Sequence, residues 1–263
     1  MKKIFIDAGH GGADPGASGN GLVEKDLTLA ISHMIATYIQ SNFSGVEVMF
    51  SRKTDQAVSL TERTRAANIW GADLLLSIHI NAGGGTGFES YVYNGSFKGK
   101  EQTREMQRLL HKEVIAETGF RDRGMKEQNF HMVRASNCPA ILTESGFIDH
   151  IHDANLLRSN SFLEKIAVGH GKGVARILGL KKKAAPKKGV MYRVVTGSFE
   201  NYAYAKEQVR VLKERGFDSF IEPFSSRGTT YYRVITGSFK RLANAKGRSM
   251  TLEKNGFDSF ITH

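Results

Sequence analysis

The sequence predicts an α/β protein with a mainly parallel, twisted sheet flanked by helices, followed by a small ferredoxin-like β-α-β-β-α-β domain made of two repeats. Over residues 1–180, short apolar runs alternate with stretches of helical periodicity, which is typical of a parallel sheet. After a basic, proline-containing segment, one unit occurs twice at an offset of 40 residues. We therefore expect a domain at 1–180, a linker at 181–189 and a second domain at 190–263.

Five apolar runs in the N-terminal region have the length of strands, and four stretches have helical periodicity. The strands are expected at KIFIDAG, VEVMFSR, LLLSIHI, FESYVY and AILTES, and the helices at 25–40, 58–70, 101–118 and 161–178. In a parallel sheet, ligands gather at the carboxyl ends of the strands. Polar residues that follow the apolar runs are therefore the first candidates for a functional site.

The C-terminal third is an internal duplication. YRVVTGSF returns as YRVITGSF, and GFDSFI returns unchanged. Aligning 192–221 with 232–261 gives 17 identities, far more than chance would produce. Each copy, 190–224 and 230–263, reads as strand, helix, strand and is too small to bury a core of its own. Two copies together predict one β-α-β-β-α-β domain.

The positive charge of the chain is concentrated in its tail. The formal net charge is +11; residues 1–180 hold 20 Lys/Arg and 19 Asp/Glu, whereas 181–263 hold 17 and 7. The basic tail predicts a polyanionic partner or surface, such as a nucleic acid, an anionic membrane or an acidic cell-wall polymer. With 40% hydrophobic and 24% charged residues, the whole chain has the composition of a soluble globular protein.

Disulfide, export and membrane signals are missing from the sequence. The single cysteine, Cys138, cannot form an intrachain disulfide and is expected to be a buried structural thiol. The start, MKKIFIDAGH, lacks the apolar core of a signal peptide, and no apolar window has the length of a membrane span. We expect synthesis in the cytoplasm without a signal peptide, lysis as the exit route for a target outside, and a monomer.

Three residues of metal-ligand type and one further acid stand out in the N-terminal region. His10 lies in DAGHGG after the first apolar run, His79 ends the third run, Glu144 ends the last, and Glu24 begins the first helix. Two imidazoles and one carboxylate can bind zinc and leave one position open for water. A further carboxylate that is not a ligand can act as general base. The set predicts metal-assisted hydrolysis.

Three of these residues also have a simpler explanation. His10 fits an incidental histidine in a glycine-rich turn, and His79 fits a hydrogen-bonded core residue at a strand end. Glu24 fits a favourable acid in the first turn of a helix. Of the other histidines, three on predicted helices are expected at the surface (His33, His111 and His170), and two are expected near the border of the site (His150 and His152).

The N-terminal 180 residues carry the motifs of one enzyme family. The segments IFIDAGHGGADPGA, GLVEKDLTLAI, SRKTD, LTERTRAANIWGADLLLSIHINA, RDRGMK and PAILTESGFI follow one another between residues 4 and 148. In this order they resemble the zinc-dependent N-acetylmuramoyl-L-alanine amidases with a type 3 catalytic domain. The resemblance implies His10, Glu24 and His79 as ligands of one Zn²⁺ and Glu144 as the catalytic acid.

The resemblance also implies the reaction, which is hydrolysis of the amide between N-acetylmuramic acid and L-alanine of the stem peptide. The catalytic acid would take a proton from the attacking water and return it to the leaving amine. Asn81, Arg65 and Ser145 are expected substrate contacts. The chain departs from the family pattern at Asp149-His150, where relatives often have Ser or Thr followed by Asn. That departure concerns the rim of the site and not the metal ligands.

The repeated tail resembles the sporulation-related repeat domain, which binds peptidoglycan. The resemblance rests on YRVVTGSF and YRVITGSF, although relatives often have Gln at the fourth position of each run. It implies binding to glycan strands without stem peptides, with Arg193, Ser198, Arg233 and Ser238 as expected contacts. The whole architecture resembles the mother-cell lytic amidases of spore-forming bacilli, and phage endolysins with related modules are the alternative.

Three other functions fit parts of the sequence. A basic β-α-β-β-α-β domain with aromatic residues also describes an RNA-recognition domain, but neither repeat carries the signature of its RNA-binding strand, and we expect no nucleic-acid partner. A non-catalytic wall-binding protein would not need the four site residues. A zinc peptidase acting within stem peptides has the same ligand types, and only its products distinguish it.

Overall fold

The structure, a computed structural model, describes residues 1–183, 190–226 and 228–263. The chain forms two compact units, Met1–Lys182 and Lys183–His263.

The first unit contains sixteen described elements. They are β1 (Lys2–Ala8), β2 (Ser18–Gly19), β3 (Leu22–Val23), α1 (Glu24–Asn42), β4 (Phe43–Ser44), β5 (Val46–Phe50), α2 (Leu60–Trp70), β6 (Leu74–Asn81), β7 (Phe88–Val92), α3 (Lys100–Thr118), β8 (Asp122–Glu127), α4 (His131–Arg134), β9 (Ala140–Phe147), α5 (Ile151–Leu157), α6 (Asn160–Ile177) and β10 (Lys181–Lys182). All five predicted strands and all four predicted helices are among them.

Six of these strands form one twisted sheet in the order β5-β1-β6-β9-β7-β8. The pairs β1–β5, β1–β6, β6–β9 and β7–β8 are parallel, and only β7–β9 is antiparallel. The predicted mainly parallel sheet is therefore confirmed. The carboxyl ends of β1, β6 and β9 lie side by side at one edge.

Helices cover both faces of the sheet. On one face, Ile4, Ile6 and Leu76 pack in a large apolar cluster with α1, α3 and α6. On the other face, Phe5 and Leu75 pack in a smaller cluster with α2 and α4. Successive strand residues point to opposite faces, so both β1 and β6 are apolar on both sides, as covered parallel strands are.

The predicted linker at 181–189 is described only in part. Lys181 and Lys182 pair with Ser44 and Phe43 in a short antiparallel ladder between β10 and β4. These two lysines therefore belong to the first unit. Residues 184–189 lie outside the described residues.

Two histidines that the sequence placed at the surface are buried, so that expectation was wrong. His111 on α3 lies between the hydroxyl of Ser90 and the carboxylate of Asp122, each 2.8 Å away. His170 on α6 contacts the hydroxyl of Thr143 at 3.0 Å, and burial lowers its pKa to about 4. The reason is that α3 and α6 turn these positions toward the sheet. The third, His33, is half-buried.

The second unit has the predicted ferredoxin-like order of elements. They are β11 (Tyr192–Phe199), α7 (Tyr202–Glu214), β12 (Phe220–Ser226), β13 (Thr229–Phe239), α8 (Leu242–Lys254) and β14 (Phe260–Thr262). The strands form an antiparallel sheet in the order β12-β13-β11-β14. Buried residues 40 positions apart meet in one core, for example Val194 with Val234 and Leu212 with Leu252. Neither repeat has this core alone.

The repeated Thr-Gly-Ser-Phe sequence has a packing reason in this unit. A Cβ at Gly197 would lie 2.6 Å from the ring of Phe199, and one at Gly237 would lie 2.7 Å from the ring of Phe239. Each phenylalanine therefore covers the glycine two residues before it on the same strand.

We expect Gly173→Ala to destabilise the first unit by about 1–3 kcal/mol, because overpacking of a tight contact costs that much. A Cβ at Gly173 on α6 would lie 2.8 Å from Cα of Leu110 on α3. Urea unfolding followed by the fluorescence of Trp70, the single tryptophan of the chain, reports this unit. Lys165→Ala, at an exposed position of α6, is the control. An unchanged or higher stability of Gly173→Ala would contradict the close helix packing.

Candidate metal centre

His10 is carried by a glycine-rich turn that follows β1. Its backbone has φ of +62°, in the left-handed region that residues other than glycine rarely occupy. A Cβ at Gly9 would lie 2.6 Å from Nε2 of His79. The glycine therefore allows the turn to bring His10 against His79, and the two rings lie edge to face with centroids 4.9 Å apart. On its outer side, Nδ1 of His10 lies 2.8 Å from Oδ2 of Asp14.

Glu24 joins the two histidines. It is the first residue of α1 and is only 4% exposed. Its Oε1 lies 3.2 Å from Nε2 of His10 and 3.0 Å from Nδ1 of His79. The backbone N–H of Ile80 donates to the same oxygen, and the N–H of Ala17 donates to Oε2. Four polar contacts fix this carboxylate, more than a favourable acid in a first helical turn requires.

The three side chains form a candidate metal site. One ligand atom from each of His10, Glu24 and His79 can be chosen so that all lie within 4.8 Å of one another. A tetrahedral site with bonds of about 2.0–2.1 Å needs ligand atoms roughly 3.3 Å apart. Two nitrogen donors and one carboxylate oxygen suit zinc, and other divalent metals accept the same set.

Hydrogen bonds among these three residues shift their pKa values. The hydrogen bond with Glu24 raises the pKa of His10 to about 9, although burial opposes the shift. Burial would raise the pKa of Glu24, but hydrogen bonds from His10 and His79 outweigh it and hold that pKa far below its usual value. Burial would lower the pKa of His79, and the contact with Glu24 reverses this. The ionised carboxylate of Glu24 therefore makes this cluster favour an added positive charge, which a bound cation would also supply.

Glu144 lies beside His79, because the two residues are paired in the β6–β9 ladder. Among the described residues, its buried Oε2 has no hydrogen-bond partner. Burial raises the pKa of this carboxyl to about 7. A carboxyl with such a pKa can both hold and release a proton near neutral pH.

A cleft of about 690 Å³ opens over these residues and is lined by His10, His79 and Glu144. Residues of α2 and α4 complete its wall, among them His131, whose Nε2 lies 3.2 Å from the hydroxyl of Thr64. His131 was not among the predicted site residues, since it follows no apolar run.

A buried ion pair supports the floor of the cleft. Arg63 on α2 binds the carboxylate of Asp7 at 2.9 Å and also donates to the carbonyl oxygens of Ala8 and His10. The hydroxyl of Ser77 donates to the other oxygen of Asp7 at 2.6 Å. Burial would raise the pKa of Asp7, but Arg63 and the hydrogen bonds hold it below its usual value. Arg63 therefore fixes the backbone on both sides of Gly9.

A second buried arginine holds the same turn from the other side. Arg52, 1% exposed, donates to the carbonyl oxygens of Ala8 and Gly9 and to that of Lys25 in α1. It also donates to the hydroxyl of Thr28. Arg52 therefore ties the turn that carries one candidate ligand to the helix that carries another. The sequence motifs SRKTD and LTERT contain these two arginines, but the motifs do not indicate which atoms the arginines bind.

The three predicted substrate contacts are not among the residues that line this cleft. Arg65 is exposed on α2, and Arg63, two residues earlier, reaches the site instead. Asn81 donates to Glu89 at 2.6 Å. Ser145 is buried, and by strand alternation it faces away from Glu144. The cleft lining also omits two histidines near Glu144 in sequence (His150 and His152).

The structure brings the four predicted glycan contacts of the second unit together. Arg193 is paired with Ser238, and Ser198 is paired with Arg233, across the two central strands. Their side chains lie on the sheet face that the helices leave open. Arg193 lies 3.5 Å from the carboxylate of Glu222, and the guanidinium of Arg233 lies 3.4 Å from the ring centroid of Phe224.

Across the described ranges, no helix combines the length and the apolar character needed to cross a membrane.

Comparisons with known proteins match both regions of the chain to known families. Residues 4–176 match the N-acetylmuramoyl-L-alanine amidase family, and residues 188–262 match the SPOR domain family. The chain is 48% identical over 221 residues to the sporulation-specific N-acetylmuramoyl-L-alanine amidase of Bacillus subtilis (strain 168), which covers 84% of both proteins. It is 42% identical over 194 residues to the endolysin of Bacillus phage SPP1, which covers 71% of both.

Solved structures show the same fold. The crystal structure of an N-acetylmuramoyl-L-alanine amidase from Clostridium difficile 630 has a TM-score of 0.64 at 33% identity and covers 68% of this chain and 97% of its own. The catalytic domain of an amidase from Bacillus (Paenibacillus) polymyxa var. colistinus has a TM-score of 0.64 at 30% identity and covers 69% and 100%. This chain thus belongs to the N-acetylmuramoyl-L-alanine amidase family and carries a C-terminal SPOR domain.

Proposed function

We propose that the chain is a zinc-dependent hydrolase of peptidoglycan that cuts the amide between N-acetylmuramic acid and L-alanine. The observation that carries this proposal is the His10–Glu24–His79 cluster next to Glu144, whose Oε2 has no partner in the described part of the chain. A buried polar atom without a partner is costly, and such atoms concentrate at sites with a chemical role. The family of the chain supplies the identity of the amide.

The protein's part in the reaction begins with fixed ligands. His10, Glu24 and His79 would hold Zn²⁺, whose chemistry when bound is Lewis acidity toward the amide carbonyl and toward water. Arg63 and Arg52 hold the turn that carries His10 through its backbone carbonyls. The three ligand side chains therefore need little rearrangement to bind the metal. The entropy cost of orienting them is already met when the chain folds.

Glu144 moves the proton. Its free Oε2 would accept a proton from the water that attacks the amide carbonyl, and the same oxygen would return the proton to the departing amine of L-alanine. The sugar chain stays intact and the stem peptide leaves. The raised pKa of Glu144, about 7, suits both steps.

We expect Glu144→Gln to lower amide cleavage by about 10²–10⁴-fold, the usual contribution of a general acid–base group, and to leave zinc content unchanged. Glu24→Gln is expected to lose zinc, because it removes a carboxylate that contacts both imidazoles. Digestion of purified peptidoglycan with mass spectrometry of the products gives the activity, and elemental analysis of the purified chain gives the zinc. Glu101→Gln, an exposed carboxylate on α3, is the control.

Three outcomes of this digestion would contradict the proposal. Near wild-type cleavage by Glu144→Gln would remove its role as acid and base. Cuts inside the stem peptide, without peptides that begin with L-alanine, would make the chain a peptidase. Intact peptidoglycan with the wild type would leave only wall binding.

We also propose that the open sheet face of the SPOR domain binds the glycan strand. Four residues support this proposal by their position as two cross-strand pairs on that face: Arg193, Ser198, Arg233 and Ser238. Peptide-free glycan is the product of the first unit, so this binding would raise the concentration of enzyme where cutting has begun.

We expect the double variant Arg193→Ala/Arg233→Ala to bind peptide-free glycan at least about tenfold more weakly, because two charged hydrogen-bond donors are lost. Cleavage of a soluble muramoyl peptide should stay within about twofold of wild type, since those residues belong to the other unit. Cosedimentation with sacculi and a soluble cleavage assay measure the two effects. Arg215→Ala, an exposed arginine at the end of α7, is the control. Equal losses in both assays would contradict this division of labour.

The occasion of cleavage that we propose is sporulation, with release of the enzyme when the mother cell lyses. The alignment with the sporulation-specific relative spans 221 residues, more than the first unit contains, so the similarity extends into the second unit.

We expect the chain to accumulate only in the mother cell late in sporulation, because an enzyme that is released by lysis of the mother cell has access to the wall only at that stage. Immunoblots of vegetative and sporulating cultures, with a constitutive cytoplasmic protein as control, measure this. Appearance only after phage induction would indicate an endolysin instead.

A further inference from the structure

A buried carboxylate next to Glu144 binds two cationic side chains that have no role in the proposed reaction. Glu89 is 3% exposed and lies opposite Glu144 in the antiparallel β7–β9 ladder. Residues in this relation share a face of the sheet, with Cβ atoms about 4.5–5.5 Å apart. Oε2 of Glu89 accepts from Nε of Arg123 at 2.8 Å and from Nζ of Lys126 at 2.5 Å.

The other oxygen of Glu89 is also fully engaged. Oε1 accepts from the side chain of Asn81 and from the hydroxyl of Tyr91, each at 2.6 Å. Burial would raise the pKa of Glu89, but hydrogen bonds from Lys126, Tyr91 and Arg123 hold it at about 2. Glu89 is therefore a permanent anion, and the two cations exceed its charge by one.

The guanidinium of Arg123 has hydrogen-bond donors that its contact with Glu89 does not use. In the described part of the chain its hydrogen bond to Glu89 uses Nε alone, which leaves Nη1 and Nη2 without a protein partner. The guanidinium lies 4.7 Å from the ring centroid of Phe147, and the side chain is 29% exposed. A guanidinium fixed by a buried carboxylate on one edge and by an aromatic ring on one face has a defined plane. Such a fork matches the two oxygens of a carboxylate.

We propose that Arg123 is a carboxylate-binding subsite for the stem peptide, two strands away from Glu144 in the sheet. This inference rests on the proposed amide cleavage. The lactyl carboxyl of the sugar is consumed in the scissile amide, so the carboxylates near that bond belong to the peptide. The leaving peptide would run from Glu144 on β9 across β7 toward Arg123 on β8. A carboxylate bound there fixes which way the peptide lies before the amide is cut.

Removal of this fork should leave the fold intact. In Arg123→Ala, Glu89 keeps its ion pair with Lys126 and the hydrogen bonds that Asn81 and Tyr91 donate to it. The variant therefore removes the free donors without leaving Glu89 unpaired. Arg121 is a matched control, because it is exposed and lies two residues earlier, before β8 begins.

The test uses the full-length zinc-loaded chain and two muramoyl dipeptides. They are identical, except that the α-carboxylate of the second residue is free in one and amidated in the other. We expect the wild type to cleave the free carboxylate at least about tenfold better in kcat/KM. Arg123→Ala should lose at least about tenfold on the free carboxylate and stay within about twofold on the amide. Arg123→Lys should be intermediate, since it keeps the charge but not the fork.

The substrate pair separates this role from a structural one. Equal loss of Arg123→Ala on both dipeptides would overturn the subsite, because a distorted site does not distinguish a carboxylate from an amide. No loss on either would overturn it too, and so would an Arg121→Ala variant with the same selective loss. A wild type that cleaves both dipeptides equally would overturn the subsite alone. A wild type that releases no peptide from these substrates or from whole peptidoglycan would overturn the proposed function itself.

Discussion

The site depends on the placement of one buried carboxylate, that of Glu24. Three separate parts of the chain meet at its two oxygens: the turn after β1 through His10, the end of β6 through His79 and Ile80, and the segment before β2 through Ala17. A charged carboxylate in such a place is costly unless polar partners surround it. Because the same partners are imidazoles that could hold a metal ion or backbone donors, the arrangement that stabilises Glu24 is also the one that aligns the candidate metal site.

That arrangement requires a turn with little conformational freedom, and two buried arginines supply the restraint. Arg63 and Arg52 donate mainly to backbone carbonyls around Gly9, rather than only to side chains. Backbone carbonyls keep their position whatever the residue's side chain, so these contacts specify the path of the chain. Asp7 balances the charge of Arg63, whereas the charge of Arg52 is dispersed over carbonyl oxygens. Loss of either arginine would leave several buried acceptors unpaired, which costs more than the hydrogen bonds contribute.

Apolar periodicity was enough to predict the buried elements, whereas the parts built from polar residues were missed. Strands, main helices and the four residues at their ends were visible because apolar runs mark buried elements and parallel strands end together. β8 (Asp122–Glu127) was missed, because this edge strand is a run of charged residues without alternation of apolar side chains. His111 and His170 were misplaced for the related reason that a histidine directed inward from a helix has no periodic signal. The same limit applies to Arg63 and Arg65, since α2 turns a polar face toward the site and hydrophobicity cannot distinguish the two positions.

The duplicated tail shows how a symmetric backbone can hold an asymmetric surface. Arg193 and Arg233 occupy equivalent positions, and each is paired with the serine of the other repeat. Their neighbours on the outer strands differ, because Thr262 faces Arg193 at the position equivalent to Glu222, which faces Arg233. Glu222 therefore places a single negative charge among two arginines and draws Arg193 to within 3.5 Å, while Arg233 lies over Phe224. Nearly identical strand sequences thus supply the fold, and single substitutions on the outer strands give the two halves of the open face different charge. A ligand that crosses both halves would meet them as two different subsites.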